Sequence, residues 1–428
     1  MATYRVSLER NGEMILIGTI QGNRDSDMAF RYRQEYLDDP TAIPISQSLP
    51  LRKEEYEPET TRIFFDGMLP EGFTRQQIRK WIHGEEGGYI DVLNYLGREC
   101  LGGLQVLQEG EPAPVPGYER ISDEKVKELA EEGASASTEI IAKTHLSLSG
   151  ASGKVGLFYD SAENQWYLPY GTAPSTHIVK QSHVRYDGIV ANELMSLRTA
   201  QLCGIPVPNS SIIRRGGRED DSVLLASQRY DRVYSVGTEK IISGKRAPNR
   251  LHQEDFAQAL GISAADKYEK QPRGYLSAMF DLLRRISADP IRDQRLLWEM
   301  IVFDYLIGNT DAHLKNFSLL YTPAQKKIRL APAYDIVGTV VYEESTREMS
   351  LYIGDHNSLD DITEEDFARA AKDCGLGVKS AMKRMEDLRE RFVPALKKAA
   401  SELEKEQYPG VERRMEEILR HGGIRTLL

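Results

Sequence analysis

Apolar and polar positions alternate at the beginning of the chain, which is the pattern of half-buried β-strands. Two such runs, Tyr4–Leu8 and Met14–Ile20, flank the dipeptide Asn11-Gly12. Asn-Gly favours the tight turn of a β-hairpin, because both residues accept a positive φ. The sequence therefore predicts a hairpin at the start of the protein. A stretch rich in proline, glycine and glutamate, 109–117, then predicts a linker.

Short apolar runs bounded by turn residues continue through the middle of the chain and predict strands. One helical pattern interrupts them at Val190–Leu202, and Gly204 followed by Pro206 is a typical helix stop. The runs that predict strands are Val155–Tyr159, Gln165–Tyr170, His177–Lys180 and Ser222–Gln228.

From His252 onward the apolar residues recur mainly at helical spacing, and 364–420 alternates charged and apolar residues in the same way. We therefore predict an α+β protein with a β-rich N-terminal subdomain, a strand-rich lobe and a helical C-terminal lobe. The predicted segments are 1–109 for the subdomain, 110–137 for the linker, 138–248 for the strand-rich lobe and 249–428 for the helical lobe.

The composition is that of an ordinary globular protein, since 28% of the 428 residues are charged and 40% are hydrophobic. The longest apolar run, Leu296–Ile307, is too short to span a bilayer, so we expect no membrane association. Cys100, Cys203 and Cys374 are far apart and indicate neither a disulfide framework nor a clustered metal site, so we expect a cytoplasmic protein. The net charge of −10 argues against a protein that wraps nucleic acid over its whole surface.

Three polar residues in the helical segment carry the most specific chemistry. Asp311 precedes Asn316 by five residues, and Asp335 follows after a strand-like segment. Protein kinases arrange a catalytic base, a magnesium-binding amide and a magnesium-binding carboxylate in this order. Taken singly, Asp311 could cap a helix, Asn316 could stabilise a turn and Asp335 could pair with an arginine. Together they fit one mechanism, so we predict a bilobal protein-kinase-like fold.

A glycine- and serine-rich stretch, Ser147–Lys154, precedes the first of the middle strands and suits a phosphate-binding loop. It is not a Walker A loop, because Leu148 and Val155 stand where that motif needs glycine and a hydroxyl residue, and a plain turn is the alternative. Lys180 ends an apolar strand, as the phosphate-pairing lysine of kinases does. Glu193, on the following helix, is either an ion-pair partner for this lysine or an exposed helix glutamate.

Several stretches together resemble the HipA family, bacterial serine/threonine kinases that act as toxins of toxin–antitoxin modules. The segment Ile307–Phe317 is the most specific of them, and Phe64–Pro70 with Gly97-Arg98 resembles the family's N-terminal subdomain. The other stretches are Ser147–Lys154, Thr176–Lys180, Gln228–Asp231, Gln253–Asp255 and Ala333–Ile336.

The resemblance implies a role for each matching residue, with ATP and Mg²⁺ as the cofactors. Asp311 matches the catalytic aspartate, and Asn316 and Asp335 match the magnesium ligands. Ser147 matches a serine that is autophosphorylated, and Ser149 is a second hydroxyl that could compete with it. The residues implied in ATP binding are Ser149, Gly150, Ala151, Ser152, Gly153, Lys154, Lys180, Gln228, Arg229, Tyr230, His313, Lys315 and Tyr334. Of these, His313 is expected to brace the catalytic loop.

The resemblance also implies partners: a small helix-turn-helix antitoxin, operator DNA contacted mainly through that antitoxin, and a protein substrate in the translation machinery. A basic run, 379–391, is either a solvated helix face or a minor contact to DNA phosphates. Two other functions stay open. One is a small-molecule kinase with the same Asp–Asn–Asp arrangement. The other is a kinase-like binding subunit that strengthens repression, since Ser152 departs from the glutamine that is common in family loops.

Overall fold

The computed structural model describes residues 1–83, 88–131, 134–144, 153–181, 186–214, 223–234, 239–322, 327–408 and 410–427. The protein divides into two compact units, and each unit draws on three stretches of the chain. The first unit comprises 1–183, 226–264 and 320–327, and the second unit comprises 184–225, 265–319 and 328–428.

The described residues form strands and helices throughout the chain. The strands are β1 (Ala2–Arg10), β2 (Glu13–Gly22), β3 (Ala29–Tyr32), β4 (Leu104–Gln108), β5 (Gly117–Arg120), β6 (Lys154–Asp160), β7 (Gln165–Tyr170), β8 (His177–Gln181), β9 (Ser210–Arg214), β10 (Val223–Gln228), β11 (Arg232–Val233), β12 (Lys240–Ile242), β13 (Lys245–Ala247), β14 (Asn249–Arg250), β15 (Gln253–Asp255), β16 (Ser318–Tyr321), β17 (Ile328–Leu330), β18 (Glu348–Ile353) and β19 (His356–Ser358). The helices are α1 (Gln34–Leu37), α2 (Pro58–Asp66), α3 (Gly72–His83), α4 (Tyr89–Leu96), α5 (Asp123–Glu131), α6 (Ala134–Thr144), α7 (Ile189–Leu202), α8 (Phe256–Leu260), α9 (Tyr275–Ile286), α10 (Pro290–Ile307), α11 (Glu364–Asp373), α12 (Val378–Lys405) and α13 (Val411–His421).

The first unit opens with the predicted hairpin. Strands β1 and β2 pair antiparallel and Arg10 stands opposite Glu13. Asn11 and Gly12 both have positive φ, 52° and 87°, which is the geometry of a type I′ turn and confirms the prediction. Strand β4 pairs with the other side of β1, so the sheet runs β3-β2-β1-β4.

A second sheet of the first unit carries strands β5-β7-β6-β8 in that order, all antiparallel. Strands β6, β7 and β8 confirm three of the strands that the sequence predicted, and β10 confirms the fourth from Val223 onward. The stretch predicted as a linker, 110–137, carries β5 and α5, and β5 pairs with β7. The ring of Tyr118 on β5 stacks on Phe158 with 4.0 Å between the ring centroids. The domain boundaries stay predictions.

An ionic cluster of six buried side chains lies within the first unit, and it connects the N-terminal sheet with the segment that follows β10. Its members are Glu9, Glu99, Arg229, Asp231, Arg232 and Arg250, and each of these side chains is at most 5% exposed. The shortest ion pairs join Arg250 to Glu9 at 2.7 Å, Arg232 to Glu99 at 2.9 Å and Arg229 to Asp231 at 2.7 Å.

Neighbouring cations lower the pKa values of carboxylates in the ionic cluster, which burial alone would raise. Burial alone would raise the pKa of Asp231, but Arg229 and Arg232 lower it to about 2. Burial would also raise the pKa of Glu9, but Arg250 and Lys240 hold it below its ordinary value. The carboxylates of Asp231 and Glu9 are therefore charged at neutral pH despite their burial.

The second unit is organised around α10, whose residues from Leu297 to Ile307 are nearly all buried. Asp289 caps its N-terminus by accepting a hydrogen bond from the Arg292 N–H, and Pro290 occupies the first turn. Gly308 ends the helix in the left-handed conformation, with φ 72°. Helices α9 and α12 pack against α10.

The remaining helices of the second unit agree with the sequence. The predicted helix Val190–Leu202 is α7, and it ends before Gly204, which has φ 89°. The helical pattern over 364–420 corresponds to α11, α12 and α13. None of the helices in the described ranges is both long and apolar enough to cross a membrane.

Candidate active site

The predicted catalytic loop follows directly from the end of α10. The carbonyl oxygen of Asp311 accepts hydrogen bonds from the His313 N–H at 2.8 Å and from Nδ2 of Asn316 at 2.9 Å. The N–H of Asn316 donates in turn to the His313 carbonyl at 2.9 Å, within a short 3-10 helix, Leu314–Asn316. These bonds close the loop on itself and hold Asp311 beside Asn316.

The base of the loop is anchored by hydroxyl groups. Thr339 Oγ accepts a hydrogen bond from the Thr310 N–H at 2.9 Å and donates to the Gly308 carbonyl at 2.8 Å. Ser350 Oγ donates to the Thr310 carbonyl at 2.7 Å. The residues immediately before Asp311 are therefore fixed from two other segments of the second unit, so the aspartate stands on a rigid support.

The side chain of Asp311 is exposed, in contrast to the loop residues around it. Its Oδ1 accepts a hydrogen bond of 2.7 Å from the hydroxyl of Tyr268. Tyr268 is itself 40% exposed, and its ring packs edge-on against His313 with 5.0 Å between the ring centroids. Asp311 can therefore be reached by a hydroxyl group from solvent while one of its oxygens is held by the protein.

His313 is buried within the loop, and burial lowers its pKa to about 3. The positive charge of Lys267 acts in the same direction, whereas the charge of Asp335 opposes it. The imidazole is therefore neutral at physiological pH, and its Nδ1 has no hydrogen-bond partner among the described residues. A neutral, buried ring suits a residue that braces the loop, which is the role expected from the sequence and stays a prediction.

Tyr334 connects the catalytic loop with the segment that carries Asp335. Its hydroxyl donates to the Lys315 carbonyl at 2.9 Å and lies 2.6 Å from Oγ of Ser318. The N–H of Ala333 donates to the Pro206 carbonyl at 2.9 Å, which fixes the start of the same segment. Lys315 is buried, at 6% exposure.

Asp335 has a backbone conformation that most residues with a side chain avoid. Its φ is 58°, in the left-handed region. Such a conformation in a residue other than glycine costs free energy and persists where the surrounding structure imposes it, often at functional sites. Asp335 also lies close enough to His313 to influence its pKa. The second predicted magnesium ligand thus lies near the loop on a residue with a strained backbone conformation.

Behind the loop lies a pair of buried polar residues that the sequence did not predict. Asn309 donates from Nδ2 to Oδ1 of Asp304 at 2.8 Å, and burial raises the pKa of Asp304 to about 7. No residue that the structure describes forms a hydrogen bond with Oδ1 of Asn309. Both residues line a small cavity, together with Asn316 and Tyr334. The other lining residues are Ile205, Met300, Phe303, Phe317, Ala333 and Ile336.

In the first unit, two of the predicted ATP-binding residues stand opposite each other. Lys154 on β6 pairs in register with Lys180 on β8. Directly opposed residues of an antiparallel pair lie on the same face of the sheet, where like charges repel. Gly153 precedes this pair, and a side chain there would collide with Gln181 and Ser137. The remaining loop residues Ser147, Ser149, Gly150, Ala151 and Ser152 lie outside the described residues.

In the segment Gln228–Tyr230, which is implied in ATP binding, the side chains of Arg229 and Tyr230 form hydrogen bonds within the first unit. Arg229 is buried and bonds both carboxylate oxygens of Asp231, and its N–H donates to the Thr176 carbonyl at 2.9 Å. The hydroxyl of Tyr230 donates to Oε1 of Gln253 at 2.5 Å. Gln228 is exposed. The side chain of Arg229 therefore serves the packing of the protein, and nucleotide contacts of this segment stay a prediction.

Two family models match the chain. The HipA N-terminal domain matches residues 12–107, and the HipA-like C-terminal domain matches residues 146–396. The second match alone covers more than half of the chain. The chain belongs to the HipA family.

Individual relatives cover most of the chain. The protein Y4mE of Sinorhizobium fredii is 31% identical over 386 residues, which is 87% of each chain. The serine/threonine-protein kinase toxin HipA of Shewanella oneidensis is 26% identical over 385 residues, 87% of this chain and 84% of that protein. A solved complex of Shewanella oneidensis HipA with HipB and operator DNA superposes with a TM-score of 0.80 at 23% identity, covering 99% of this chain and 97% of that chain. The predicted fold class is thereby confirmed.

Membership of the HipA family does not establish the roles of single residues, which stay predictions. The structure shows which of these residues lie close together. The second unit brings Asp311, Asn316, His313, Lys315 and Tyr334 together around one loop. Glu193 is 5% exposed on α7, so it is not an exposed helix glutamate.

Sequence reasoning missed Tyr268 and Asp304. Tyr268 is separated from Asp311 by 43 positions, and no motif spacing connects the two. Asp304 lies inside the apolar run of α10, and a carboxylate flanked by apolar residues was the available signal.

The basic run 379–391 lies on α12. Lys383 pairs with Asp387 at 3.1 Å, and Arg389 pairs with Glu386 at 2.8 Å, each within the same helix. Arg391 donates to the Cys203 carbonyl. These contacts favour the solvated-face interpretation over a DNA contact, because phosphate binding needs clustered charge of one sign.

Proposed function

We propose that this member of the HipA family is an ATP- and Mg²⁺-dependent serine/threonine protein kinase that acts as the toxin of a toxin–antitoxin module. The observation that carries the proposal is the closed loop of the second unit, in which an exposed Asp311 stands beside Asn316. Transfer of a phosphoryl group needs an oriented acceptor hydroxyl and neutralised phosphate charge rather than covalent chemistry by the protein.

Asp311 is the catalytic base in this proposal. The acceptor hydroxyl oxygen attacks the γ-phosphorus of ATP, the bond from that phosphorus to the bridging oxygen breaks, and ADP leaves. Asp311 orients the attacking hydroxyl and accepts its proton. Its exposure supports an acceptor that is part of a protein, because a small-molecule kinase would be expected to enclose its acceptor in a concave pocket.

Asn316 and Asp335 are the proposed Mg²⁺ ligands, and their donor atoms suit this ion. Mg²⁺ prefers oxygen ligands, and it neutralises charge on the phosphates when bound. Because Nδ2 of Asn316 is bound to the Asp311 carbonyl, its amide oxygen faces the other way and is the atom that would contact the ion. The strained backbone of Asp335 supports a positioned carboxylate.

Lys154 and Lys180 are the proposed phosphate-binding residues. Their direct opposition across β6 and β8 places two positive charges on one face of the sheet, an arrangement that favours the binding of an anion. The triphosphate of ATP is an anion of the right kind. Gly153 lets the backbone approach closely at the start of this strand pair.

The regulatory part of the proposal rests on the family. A relative is named as a serine/threonine-protein kinase toxin, and the similar solved structure contains HipB and operator DNA. We propose that this chain binds a small helix-turn-helix antitoxin, contacts operator DNA through it as a co-repressor, and phosphorylates a protein of the translation machinery. We also propose that autophosphorylation on Ser147, or on Ser149, regulates it.

The test is transfer of ³²P from γ-labelled ATP with Mg²⁺ by the purified full chain, with mapping of the labelled residues. Asp311→Asn keeps the size of the side chain and the acceptor for Tyr268 but removes the base, so the rate should fall roughly 10²–10⁴-fold. Label on Ser147 or Ser149 in the wild type and its loss in Asp311→Asn are the expected results.

Asp361→Asn is the matched control, because Asp361 is also an exposed aspartate of the second unit. It should transfer phosphate at the wild-type rate. Wild-type turnover in Asp311→Asn would contradict the assignment of the base. ATP binding without transfer in the wild type would favour the kinase-like binding subunit instead.

A further inference from the structure

The segment Lys267–Glu269 contacts the catalytic loop of the second unit, and no role in the reaction follows for it from the sequence motifs. Its central residue, Tyr268, donates a hydrogen bond of 2.7 Å to Oδ1 of Asp311. Both partners are exposed, so water competes for each of them. A tyrosine hydroxyl and a carboxylate in this setting stay together when the tyrosine is held in place independently of the bond.

The backbone on both sides of Tyr268 is fixed. Before it, the Lys267 carbonyl accepts a hydrogen bond of 3.4 Å from the Leu314 N–H in the catalytic loop. After it, the Glu269 N–H donates to the Ser350 carbonyl at 2.8 Å. Ser350 is the residue whose hydroxyl donates to the Thr310 carbonyl. The segment and the catalytic loop are thus tied to the same strand, β18.

Glu269 adds a second restraint. Its carboxylate is 3% exposed and accepts three backbone hydrogen bonds, from the N–H groups of Arg273 at 2.7 Å, Tyr275 at 3.1 Å and Tyr352 at 3.0 Å. A carboxylate with three backbone donors is strongly bound, since charge-assisted hydrogen bonds are shorter and stronger than neutral ones. Tyr268 therefore stands between two anchored neighbours.

The ring of Tyr268 is restrained as well as its backbone. It meets His313 at an interplanar angle of 84°, with 5.0 Å between the centroids, which is a favourable edge-to-face arrangement. Nζ of Lys267 lies 5.4 Å from the centroid of the same ring. The hydroxyl reaches Asp311 from a ring that packing has already oriented.

We propose that Tyr268 is a positioning residue for Asp311: its hydroxyl fixes the rotamer of the catalytic carboxylate so that the acceptor hydroxyl meets a preoriented base. This inference rests on the proposed function, because it assigns Tyr268 a role only if Asp311 is the base. A rotamer held within a narrow range raises the rate, since small errors in the position of a catalytic group lower it strongly.

The experiment compares Tyr268→Phe with wild type in steady-state phosphoryl transfer by the full chain. The phenylalanine keeps the ring against His313 and removes only the hydroxyl. We expect kcat to fall about 10-fold, the size of one lost charge-assisted hydrogen bond, with the KM for ATP unchanged. An interaction used in the transition state lowers kcat and kcat/KM together.

Incorporation of 3-fluorotyrosine at position 268 supplies the conservative variant. It keeps a hydroxyl donor on a ring of nearly the same size, so kcat should return to the wild-type value. Tyr170→Phe is the matched control, because Tyr170 is 43% exposed and lies in the first unit. It should leave both kcat and KM unchanged.

The outcomes separate this inference from the proposed function. Loss of transfer in Asp311→Asn with unchanged kcat in Tyr268→Phe would overturn the positioning role and leave the kinase assignment standing. A higher kcat in Tyr268→Phe would also overturn it, because the hydroxyl would then be blocking the base. Wild-type turnover in Asp311→Asn would remove the base itself, and the inference would fall with it.

Discussion

The ionic cluster of the first unit and the polar residues behind the catalytic loop of the second unit are both buried, but their charges are compensated differently. In the ionic cluster, Glu9, Glu99 and Asp231 each contact a guanidinium group within 3 Å. Burial tends to raise the pKa of Asp231, and the neighbouring arginines lower it to about 2. Charge is kept in the interior because opposite charge accompanies it.

Behind the catalytic loop, the causes of the pKa shift of Asp304 are burial and a hydrogen bond from a neutral residue, rather than a neighbouring arginine. Asp304 accepts a hydrogen bond from Asn309, and burial raises its pKa to about 7. Within the described part of the chain, Oδ1 of Asn309 and Nδ1 of His313 are buried without hydrogen-bond partners. Asp335 adds a strained backbone nearby. Unsatisfied polar atoms are rare in native interiors and often mark functional sites, as do perturbed pKa values and backbone strain.

Glu254 shows what determines whether the pKa of a buried carboxylate is raised or lowered. A neighbouring cation decides the direction, and the unit in which the residue lies does not. It is a buried residue of the first unit and accepts hydrogen bonds from the Ser46 and Tyr321 hydroxyls and from the Gln47 N–H. Burial nevertheless raises its pKa to about 7. Hydrogen bonds from neutral groups reduce the cost of burying a carboxylate, but an arginine changes the direction of the pKa shift.

Removing one cation from the ionic cluster should have the largest effect on stability. Arg250→Met leaves Glu9 and Glu99 buried without this guanidinium, and breaking a buried pair in this way costs about 3–5 kcal/mol. We expect that loss in the free energy of unfolding from equilibrium urea titration. Adding Glu9→Gln to the variant should restore part of the loss, because it removes one of the two carboxylates that lost this guanidinium.

Arg246→Met is the matched control for the cluster variant. Arg246 pairs with Glu239 at 3.2 Å, but both side chains are about half exposed. An exposed pair contributes at most about 1 kcal/mol. Equal losses in Arg250→Met and Arg246→Met would show that the arginines of the ionic cluster do not compensate its carboxylates.

The uncompensated carboxylates predict a pH dependence of the opposite sign from the ionic cluster. Asp304 and Glu254 have folded pKa values of about 7, above their ordinary values of 3.8 and 4.5. Between about pH 4 and pH 7 the folded state therefore holds protons that the unfolded state has released. The free energy of unfolding should fall as the pH rises through this window. Asp231 acts the other way, since its stabilising contribution is lost only as the pH falls below about 4.

The substitution Asp304→Asn separates the contribution of Asp304 to this pH dependence from that of Glu254. Asparagine carries no charge at any pH, so the free energy of unfolding of the variant should decline less with pH and exceed that of the wild type by roughly 4 kcal/mol above pH 7. Thermal unfolding from pH 5 to pH 8 measures this difference. Asp361→Asn, at an exposed position, should follow the wild-type curve. A parallel curve for Asp304→Asn would mean that Asp304 does not titrate in this range.

The sequence predicted the features of this molecule that are local. The type I′ hairpin follows from Asn11-Gly12, and the end of α7 follows from Gly204, because each depends on the conformational freedom of one or two residues. The Asp–Asn–Asp set stays a prediction, made because three functional groups in a known order fit one mechanism. The side chain of Asn316 reaches the Asp311 carbonyl because the loop between them is short.

Sequence patterns could not predict contacts between residues that are far apart in the chain. Arg250 and Glu9 are 241 positions apart, and no periodicity connects them. The same applies to the two units, each of which is assembled from three separate stretches. Hydrophobic periodicity indicates which face of an element is buried but not which element covers it. The hydrogen bond from Tyr268 to Asp311 escaped prediction for this reason.

The smallest effect concerns the strained backbone at Asp335. Asp335→Ala and Asp335→Gly both remove the carboxylate, so both should lose Mg²⁺-dependent transfer. The two variants should differ in the free energy of unfolding, because a φ of 58° costs free energy in alanine but not in glycine. We expect the glycine variant to be more stable by about 1 kcal/mol, measured by urea unfolding. The same two substitutions at Asp361, which has no positive φ, should give the reverse order. Equal stability of the two Asp335 variants would show that the turn relaxes when the carboxylate is removed, and that the strain belongs to the aspartate rather than to the fold.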